Sequence, residues 1–353
     1  EISACLVGSE MCIRDRCMPK DSFKNEIMQN SIVSMQDRFN NASFKIRVVV
    51  GVYDIEDVDE PVSNMCDKAF IASETIKNNY ETNIAYYDDK LLKRTLEERR
   101  VISEFEGAIE KKEFKMFLQP QVNTHGKAYG AEALVRWIDA NGKCKSPMEF
   151  IPVFEANGFI YKLDCFMWEM VCKVIRRWLD TGRQPFPISV NVSRTYLQKE
   201  DVAGYIKNLI DKYQIPMELF QLEITETTEN AESLSYINSL KQAGFTLLMD
   251  DFGSGYSSLC MLKNTPFDVL KMDRQFLDEC LDSKQGKTII SHVISMSNDL
   301  GLSIIAEGVE NRGTADFLYD NGCSVSQGFY FSKPVSIPEF EHMLDEQQTE
   351  QQR

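Results

Sequence analysis

Short apolar runs alternate with longer amphipathic stretches from Phe114 to about Leu344. Apolar runs rich in β-branched residues predict strands, whereas apolar residues at three- and four-residue steps predict helices. The predicted strands are Lys115–Val122, Ala128–Trp137, Ile188–Val192, Phe220–Thr225, Phe245–Asp250, Val269–Met272, Ser303–Ala306 and Ser326–Phe331. The predicted helices are Met148–Asn157, Asp164–Thr181, Asp201–Tyr213, Ala231–Ala243, Lys284–Leu300 and Arg312–Asn321.

The alternation of strands and helices predicts an α/β fold. Its length of about 230 residues is close to that of a (β/α)8 barrel. The alternative is an open, doubly wound sheet, which carries a glycine-rich fingerprint after its first strand. No such fingerprint follows Lys115–Val122. We therefore expect a TIM-type barrel over residues 114–345 and a short tail at 346–353.

Residues 17–95 predict a smaller α/β unit in front of the barrel. Its pattern, helix followed by strand and then again helix and strand, comes from Ser22–Phe39, Phe44–Tyr53, Val62–Asn78 and Ile84–Tyr87. The charged stretch Leu91–Lys112 has helical spacing, and we expect residues 96–113 to connect the two units as a helix.

Residues 1–16 do not begin with methionine and show no clear hydrophobic period. They are similar to translated sequencing-adapter sequence. We expect this stretch to be a non-native leader, and the natural protein to begin upstream of it.

Polar side chains occupy the C-terminal ends of most predicted barrel strands, where barrel enzymes place their catalytic groups. Carboxylate and amide oxygens without histidine or cysteine suit Mg²⁺ or Mn²⁺. A barrel interior that only packs would carry apolar residues there, so the pattern predicts a metal site. These residues are Glu132, Asn191, Glu223, Asp250, Asp251, Asp273, Glu307 and Gln327, with Lys271 two positions before Asp273.

Asp250 and Asp251 are adjacent acids that end a buried apolar run and precede Gly253 and Gly255. Adjacent carboxylates repel each other unless a cation or hydrogen-bond donors neutralise them. A solvated turn is the alternative for this pair taken alone. The polar ends of the other strands favour the metal site.

The three histidines are placed away from the strand ends: His125 in a turn, His292 in a helix and His342 near the tail. A histidine general base and a zinc site held by histidine are therefore disfavoured. A water activated by bound metal, with help from a carboxylate or from Lys271, fits the composition of the site better.

Composition and charge limit the classes of partner and the cellular environments that suit this chain. The 353 residues are 43% hydrophobic and 26% charged, as in soluble globular proteins. The formal net charge of −15 argues against nucleic-acid binding, which needs a basic face. We see no apolar run long enough for a membrane segment. Ten cysteines without CxxC spacing indicate a reducing, cytoplasmic environment. A membrane tether upstream of this chain is left open.

The chain resembles the EAL phosphodiesterase family, which hydrolyses cyclic di-GMP. The similar segments are Gln119-Pro120, Glu132-Ala133-Leu134-Val135-Arg136-Trp137, Ser189-Val190-Asn191-Val192-Ser193, Leu222-Glu223-Ile224-Thr225-Glu226, Asp250–Leu259, Lys271-Met272-Asp273, Ala306-Glu307-Gly308-Val309-Glu310 and Gln327-Gly328. The resemblance implies a barrel with one antiparallel strand and metal-dependent hydrolysis to linear 5′-pGpG. The alternative is a catalytically silent receptor or scaffold that binds cyclic di-GMP, but no catalytic position is missing.

The resemblance also implies roles at a site with two Mg²⁺ or Mn²⁺ ions. One ion would be held by Glu132, Asn191, Glu223 and Asp250, and the second by Asp250 and Asp251 with Glu307. Lys271 would orient or deprotonate the attacking water, or would form a plain salt bridge to a neighbouring aspartate.

For the substrate, Arg136 would contact a phosphate, with a rim ion pair as the alternative. Gln119 would contact a guanine edge and Gln327 would form the floor of the site. Glu226 would brace the Gly253–Ser258 loop, which would offer a homodimer surface on the barrel.

Residues 17–95 resemble the C-terminal half of a GGDEF diguanylate cyclase domain through Val50-Gly51-Val52-Tyr53 and Cys66-Asp67-Lys68-Ala69. The Gly-Gly-Asp-Glu-Phe signature itself does not occur in this sequence. The resemblance therefore implies a truncated domain without cyclase activity.

Overall fold

The computed structural model describes residues 2–8, 13–19, 32–36, 43–47, 49–77, 82–193, 195, 201–225, 231–253 and 258–351. The chain divides into two units, Glu1–Phe105 and Glu106–Arg353. None of the helices in this part of the chain is both long and apolar enough to cross a membrane.

The first unit contains a four-stranded sheet, a separate strand pair and a helix. The strands are β1 (Ile2–Gly8), β2 (Ile13–Pro19), β3 (Ile32–Gln36), β4 (Ser43–Arg47), β5 (Val49–Asp54) and β6 (Ile84–Tyr86), and the helix is α1 (Val62–Thr75). The sheet has the order β2-β1-β5-β6, in which β5 runs antiparallel to β1 and parallel to β6. Strand β3 pairs antiparallel with β4.

The helix predicted over Ser22–Phe39 is wrong at Ile32–Gln36, which forms strand β3. The adjacent β-branched residues Ile32 and Val33 favour an extended backbone, which outweighs the helical spacing of the apolar residues. The rest of that predicted helix lies outside the described residues. Strands β1 and β2 include most of the stretch that we expected to be a leader, and its non-native origin stays a prediction.

Helix α1 packs directly on strand β5. Met65 and Ala69 of the helix form a buried cluster with Tyr53 of the strand. A side chain at Gly51 would bring its Cβ within 1.8 Å of the backbone oxygen of Ala69. Glycine at this position therefore permits the close approach of the helix backbone to the sheet.

The second unit is a closed barrel. Its strands are β7 (Phe114–Asn123), β8 (Ala128–Ile138), β10 (Ile188–Asn191), β11 (Phe220–Thr225), β12 (Thr246–Phe252), β13 (Val269–Met272), β14 (Ser303–Ala306) and β15 (Val325–Ser326), and the short strands β9 (Cys144–Lys145) and β16 (Val335–Ser336) pair at its margins. Strand β7 closes the barrel by pairing antiparallel with both β8 and β15. The other neighbouring barrel strands pair in parallel.

Helices follow most of these strands, as in a TIM-type barrel. They are α3 (Pro147–Asn157), α4 (Ile160–Asp180), α5 (Val202–Tyr213), α6 (Ala231–Gln242), α7 (Ser258–Asn264), α8 (Arg274–Leu281), α9 (Lys284–Asp299), α10 (Arg312–Asp320) and α11 (Ile337–Gln351). Helix α2 (Asp89–Glu110) precedes the barrel in the chain. The predicted barrel is confirmed. The short helices α7 and α8 were not predicted, and neither was α11, which extends to Gln351 in the predicted tail.

The last predicted strand, Ser326–Phe331, is wrong beyond Ser326, where β15 ends. A Cβ at Gly328 would lie 2.2 Å from the backbone oxygen of Val309, so the chain turns there against a neighbouring loop. The amide of Tyr330 then donates to that same Val309 oxygen at 3.0 Å. This long-range contact competes successfully with the local preference of the aromatic residues for a strand.

One layer of the barrel interior explains where the polar strand ends lie. Leu248, Val269, Ile305 and Val325 form one buried apolar cluster. In an extended chain, the residue two positions later lies on the same face. Those residues are Asp250, Lys271, Glu307 and Gln327. The apolar layer therefore supports a polar layer at the C-terminal ends of the strands.

An aromatic cluster packs helix α3 against strands β7 and β8. The ring of Phe154 lies 6.1 Å from Phe114, 6.0 Å from Trp137 and 5.6 Å from Phe150 between centroids.

We expect Phe154→Ala to lower the free energy of unfolding by about 3–5 kcal/mol, because it leaves a cavity in a buried core. Urea denaturation followed by circular dichroism measures this loss.

Met148→Ala is the matched control, since Met148 lies on the same helix and its side chain is 87% exposed. We expect its effect to stay within about 0.5 kcal/mol. Equal losses for the two variants would contradict the packing of α3.

Candidate active site

The ammonium of Lys271 lies at the centre of four carboxylates. Its Nζ is 2.6 Å from Glu307 Oε1, 2.8 Å from Glu223 Oε2 and 2.9 Å from Asp250 Oδ1. Glu132 Oε2 is more distant, at 3.6 Å. Lys271 is 1% exposed and Glu223 is 0% exposed, so the centre of this network is removed from water, whereas the Glu307 side chain is 18% exposed. Five separate regions of the barrel supply its charged groups.

Strand register places these groups side by side. Glu132 on β8 is paired with Ser189 on β10, and Asn191 of β10 is paired with Glu223 on β11. Gln119 on the antiparallel strand β7 lies opposite Glu132. Barrel closure is therefore what converts distant sequence positions into one site.

The cluster contains four carboxyl groups and one ammonium. Burial, reinforced by the charge of Glu132, raises the pKa of Glu223 well above its ordinary value. Burial and the charge of Asp250 raise the pKa of Glu307 to about 8, although Lys271 opposes the shift. Burial alone would lower the pKa of Lys271, but the surrounding carboxylates outweigh it and hold that pKa well above the ordinary value. Lys271 is therefore a cation in this structure.

Asp251 adds a further acid next to the cluster through an irregular strand end. The register between β12 and β13 shifts between Met249 and Phe252, and Asp251 has a φ of 58° in the left-handed region. Burial, with the negative charges of Asp250 and Asp273, raises the pKa of Asp251 to about 6. A regular strand would point adjacent residues to opposite faces, so this bulge allows both acids to lie near one site.

Two glutamines continue the site away from Lys271. Gln327 Nε2 donates to Glu132 Oε2 at 2.5 Å and to Gln119 Oε1 at 3.2 Å. Gln119 Nε2 donates to the backbone oxygen of Ser332 at 3.3 Å. Gln327 therefore contacts both Gln119 and Glu132.

Arg136 lies on β8, four residues after Glu132, and lines a cavity of about 230 Å³ together with Asn191, Ser193 and Asp164. Its Nη1 donates to the backbone oxygen of Val135 at 2.8 Å. Within the described residues it forms no ion pair, so the rim ion pair that we weighed for it is absent there. The acids that line this cavity are Glu155 and Asp164, and none of the four carboxylates around Lys271 is among its lining residues.

The sequence pattern of the EAL domain matches residues 102–334, which include the whole site. The chain belongs to the EAL domain family. The expected family is thereby confirmed.

Two curated bacterial proteins are similar in sequence to this chain. The signaling protein YkoW of Bacillus subtilis is 34% identical over 287 residues, covering 79% of this chain and 35% of YkoW. The probable cyclic di-GMP phosphodiesterase PdeB of Escherichia coli is 32% identical over 67% of this chain and 45% of PdeB. The chain thus spans less than half of each of these two relatives.

A solved structure of the PaMucR phosphodiesterase in complex with c-di-GMP has a similar fold. It is 30% identical, with a TM-score of 0.64, and the match covers 68% of this chain and 99% of that chain. An EAL domain protein from Listeria monocytogenes is 29% identical, with a TM-score of 0.58. The likeness supports the TIM-type barrel of the EAL domain.

The donor set of this EAL domain suits a hard cation. Glu223 Oε1 and Gln327 Oε1 are buried and have no hydrogen-bond partner among the described residues. The site presents only carboxyl and amide oxygens beside one ammonium, and oxygen ligands are those that Mg²⁺ and Mn²⁺ prefer. The carboxylates nevertheless converge on Lys271, and no group of three His, Cys, Asp or Glu within the described ranges is arranged to hold a metal ion.

The remaining predicted site residues differ in where the structure places them. Asp273 caps helix α8, because its Oδ1 accepts the backbone amide of Gln275 at 2.8 Å. The side chain of Asn191 is exposed at the end of β10. Glu226 and most of the Gly253–Ser258 loop lie outside the described residues.

The sequence analysis missed Asp164, which is buried and lines the cavity beside Arg136. Its Oδ2 accepts the backbone amide of Ser193 at 3.4 Å. The signal was present, because Asp164 follows Leu163 on the apolar face of α4, where an acid is unexpected.

Proposed function

We propose that this chain hydrolyses cyclic di-GMP to linear 5′-pGpG in a reaction that depends on Mg²⁺ or Mn²⁺. The observation that carries the proposal is the buried ammonium of Lys271 among the acids Glu132, Glu223, Asp250 and Glu307, and these five groups come from five different barrel strands or strand ends. Burying so many carboxylates is costly, and a protein that needed only packing would place apolar residues there. The similarity to named cyclic di-GMP phosphodiesterases supports the choice of substrate.

Glu132, Asn191, Glu223 and Asp250 would hold one ion, and Asp250, Asp251 and Glu307 would hold the second. Bound there, the ions would activate a water and stabilise the charge that develops on the phosphate. In the overall reaction, water adds to one phosphorus and the bond from that phosphorus to the 3′ oxygen breaks. The product carries one new 5′ phosphate and one new 3′ hydroxyl.

Lys271 would donate hydrogen bonds that orient the attacking water or the phosphate oxygens. A protonated ammonium donates but does not accept a proton, and the raised pKa of Lys271 keeps it protonated at neutral pH. Of the two roles considered for it, orientation is the one that we propose. Arg136 would meet a phosphate from the neighbouring cavity, where a guanidinium can form paired hydrogen bonds.

The direct test is metal removal. Purified chain incubated with cyclic di-GMP and Mn²⁺ or Mg²⁺ should release linear dinucleotide, and excess EDTA should stop the release. Chromatographic separation of cyclic and linear dinucleotide measures both. Hydrolysis that continues at the same rate in EDTA would overturn the metal dependence, and no hydrolysis with either metal would overturn the enzyme.

A catalytically silent receptor for cyclic di-GMP is the second candidate. It is favoured by one observation, that the acids within the described residues converge on Lys271 and are not arranged around a metal position. Calorimetry with the dinucleotide separates the two functions. A receptor binds cyclic di-GMP with equal affinity with or without metal and leaves it intact.

For residues 17–95 we propose the C-terminal part of a GGDEF domain without cyclase activity. The parallel pairing of β5 with β6 and the packing of α1 on β5 are compatible with this reading. Incubation with GTP and Mg²⁺ should yield no cyclic di-GMP. We also propose that the chain is cytoplasmic and forms a homodimer through the barrel. Analytical sedimentation of the purified chain measures its assembly state and so tests the dimer.

A further inference from the structure

Gln119 and Gln327 form a buried relay that ends on Glu132. The relay runs from the backbone oxygen of Ser332 to Gln119, from Gln119 to Gln327, and from Gln327 to the Glu132 carboxylate. Gln119 is 8%, Gln327 is 4% and Glu132 is 7% exposed. These side chains are therefore largely shielded from solvent, and two hydrogen bonds connect them.

We propose that Gln119 and Gln327 are positioning residues that orient the Glu132 carboxylate, and that the amide nitrogen of Gln327 makes no contact with the guanine bases. This inference rests on the proposed function, since Glu132 is one of its proposed metal ligands. It replaces the sequence-based expectation that Gln119 meets a guanine edge.

Hydrogen-bond capacity supports the proposal. A glutamine NH₂ group has two hydrogens to donate. On Gln327 both are used, one by Glu132 Oε2 at 2.5 Å and one by Gln119 Oε1 at 3.2 Å. No donor of Gln327 is left for a base, whereas its Oε1 has no hydrogen-bond partner among the described residues. A guanine contact through the amide nitrogen would break a buried hydrogen bond of the relay, and an unpaired buried polar group is unfavourable.

Glu132 also depends on the relay more than the other acids do. Lys271 Nζ approaches Glu223, Asp250 and Glu307 within 2.9 Å. It stays 3.6 Å from Glu132 Oε2, whereas Gln327 lies 2.5 Å from the same oxygen. Gln327 is therefore the nearest partner that fixes the orientation of this carboxylate.

The start of the relay is anchored in the backbone. Strand β16 pairs with β7 at Leu118 and Phe117, directly before Gln119. Across the β7–β8 pair, Gln119 lies opposite Glu132. The relay thus ties Glu132 to the antiparallel strand that closes the barrel.

The test uses Gln327→Met and Gln119→Met, which keep similar size and remove the amide. We expect Gln327→Met to raise the Mn²⁺ concentration for half-maximal hydrolysis by about 10- to 100-fold, the usual loss when a partner of a metal ligand is removed. The rise in Tm on adding Mn²⁺ should shrink in parallel. The Kd for cyclic di-GMP measured in EDTA should change less than about 3-fold, since no base contact is lost.

A double-mutant cycle separates a relay from two independent contacts. Because Gln119 acts through Gln327, the double variant should be no worse than Gln327→Met alone. Additive losses would overturn the relay. Lower affinity for cyclic di-GMP in EDTA, with an unchanged Mn²⁺ requirement, would also overturn the relay. That result would indicate that both glutamines contact the substrate.

Gln121→Met is the matched control. Gln121 lies on the same strand, is 2% exposed, and its Nε2 has no hydrogen-bond partner among the described residues. We expect it to leave the Mn²⁺ requirement unchanged, and an equal rise in that variant would overturn the inference. If Gln327→Met fails to fold, the same measurements on Gln119→Met test the inference.

The outcomes for this inference and for the proposed function differ. A wild-type Tm that rises with Mn²⁺, together with an equal rise in Gln327→Met, overturns the relay and leaves the metal site standing. A wild-type Tm that does not respond to Mn²⁺ overturns the metal site itself and the relay with it. Absence of hydrolysis alone overturns only the proposed enzymatic activity, because the Tm comparison still tests the relay.

Discussion

Lys271→Met should abolish measurable hydrolysis of cyclic di-GMP and also destabilise the barrel. The variant leaves Glu223, Asp250 and Glu307 without the ammonium that lies within 2.9 Å of each. Breaking a buried ion pair from one side costs about 3–5 kcal/mol, because uncompensated charge stays buried. Loss of a preorganised electrostatic group at the reacting phosphate should lower turnover by about 10²–10³ or more. Urea denaturation and turnover per folded molecule, both at low temperature, measure the two effects separately.

Lys145→Met is the control for this prediction. Lys145 is also a buried lysine, but its Nζ lies over the ring of Trp137 at 3.7 Å from the centroid, away from the acid cluster. We expect its turnover to stay close to that of the wild type. Comparable hydrolysis by folded Lys271→Met would contradict the orienting role, and unchanged stability would contradict the charge balance of the cluster.

Asp251→Asn should lower turnover by about 10²–10³ while leaving the fold and most of the substrate affinity in place. Asparagine has nearly the same shape and tolerates the left-handed backbone that Asp251 adopts at a φ of 58°. The substitution therefore removes a charge without straining the bulge. The proposed second ion depends most on this charge, while Arg136 and the proposed first metal ligands are unchanged.

Paired measurements test this second prediction. Turnover is measured with Mn²⁺, and affinity for cyclic di-GMP is measured with Ca²⁺ in its place. Asp251→Ala serves as the comparison, since it removes the charge and also places a residue that disfavours the left-handed region at the bulge. Equal losses of turnover and affinity in Asp251→Asn would make Asp251 a binding or folding residue. No loss of either would make the adjacent acids an ordinary turn.

Local sequence was sufficient for most of the barrel. Strands β11, β13 and β14 begin and end where their apolar runs predict, because short β-branched runs between turn residues have few alternatives to an extended chain. The polar ends followed as well, since a TIM-type barrel brings the C-terminal ends of its strands together. The sequence therefore predicted that Glu132, Glu223, Asp250 and Glu307 share one site. Its placement of Glu132 at a strand end is wrong, because β8 continues to Ile138.

Where two local signals competed, the sequence analysis was less reliable. Asp273 has the pattern of a strand-end ligand and also that of a helix N-cap, and the structure uses it as a cap. Residues after Ser326 have strand-forming side chains, but Gly328 packs against Val309 and ends the strand. Spacing along the chain does not contain these long-range contacts.

The tertiary structure alone decided which partners the site residues have. The bulge at Asp251 depends on how β12 pairs with β13, and it brings two adjacent acids near one site. The relay from Gln119 through Gln327 to Glu132 depends on closure by an antiparallel strand, because its members come from opposite ends of the barrel sequence. Residue types and their period are local properties that the sequence determines. Hydrogen-bond partners, burial and the resulting pKa shifts depend on distances between strands, and only the closed barrel determines those distances.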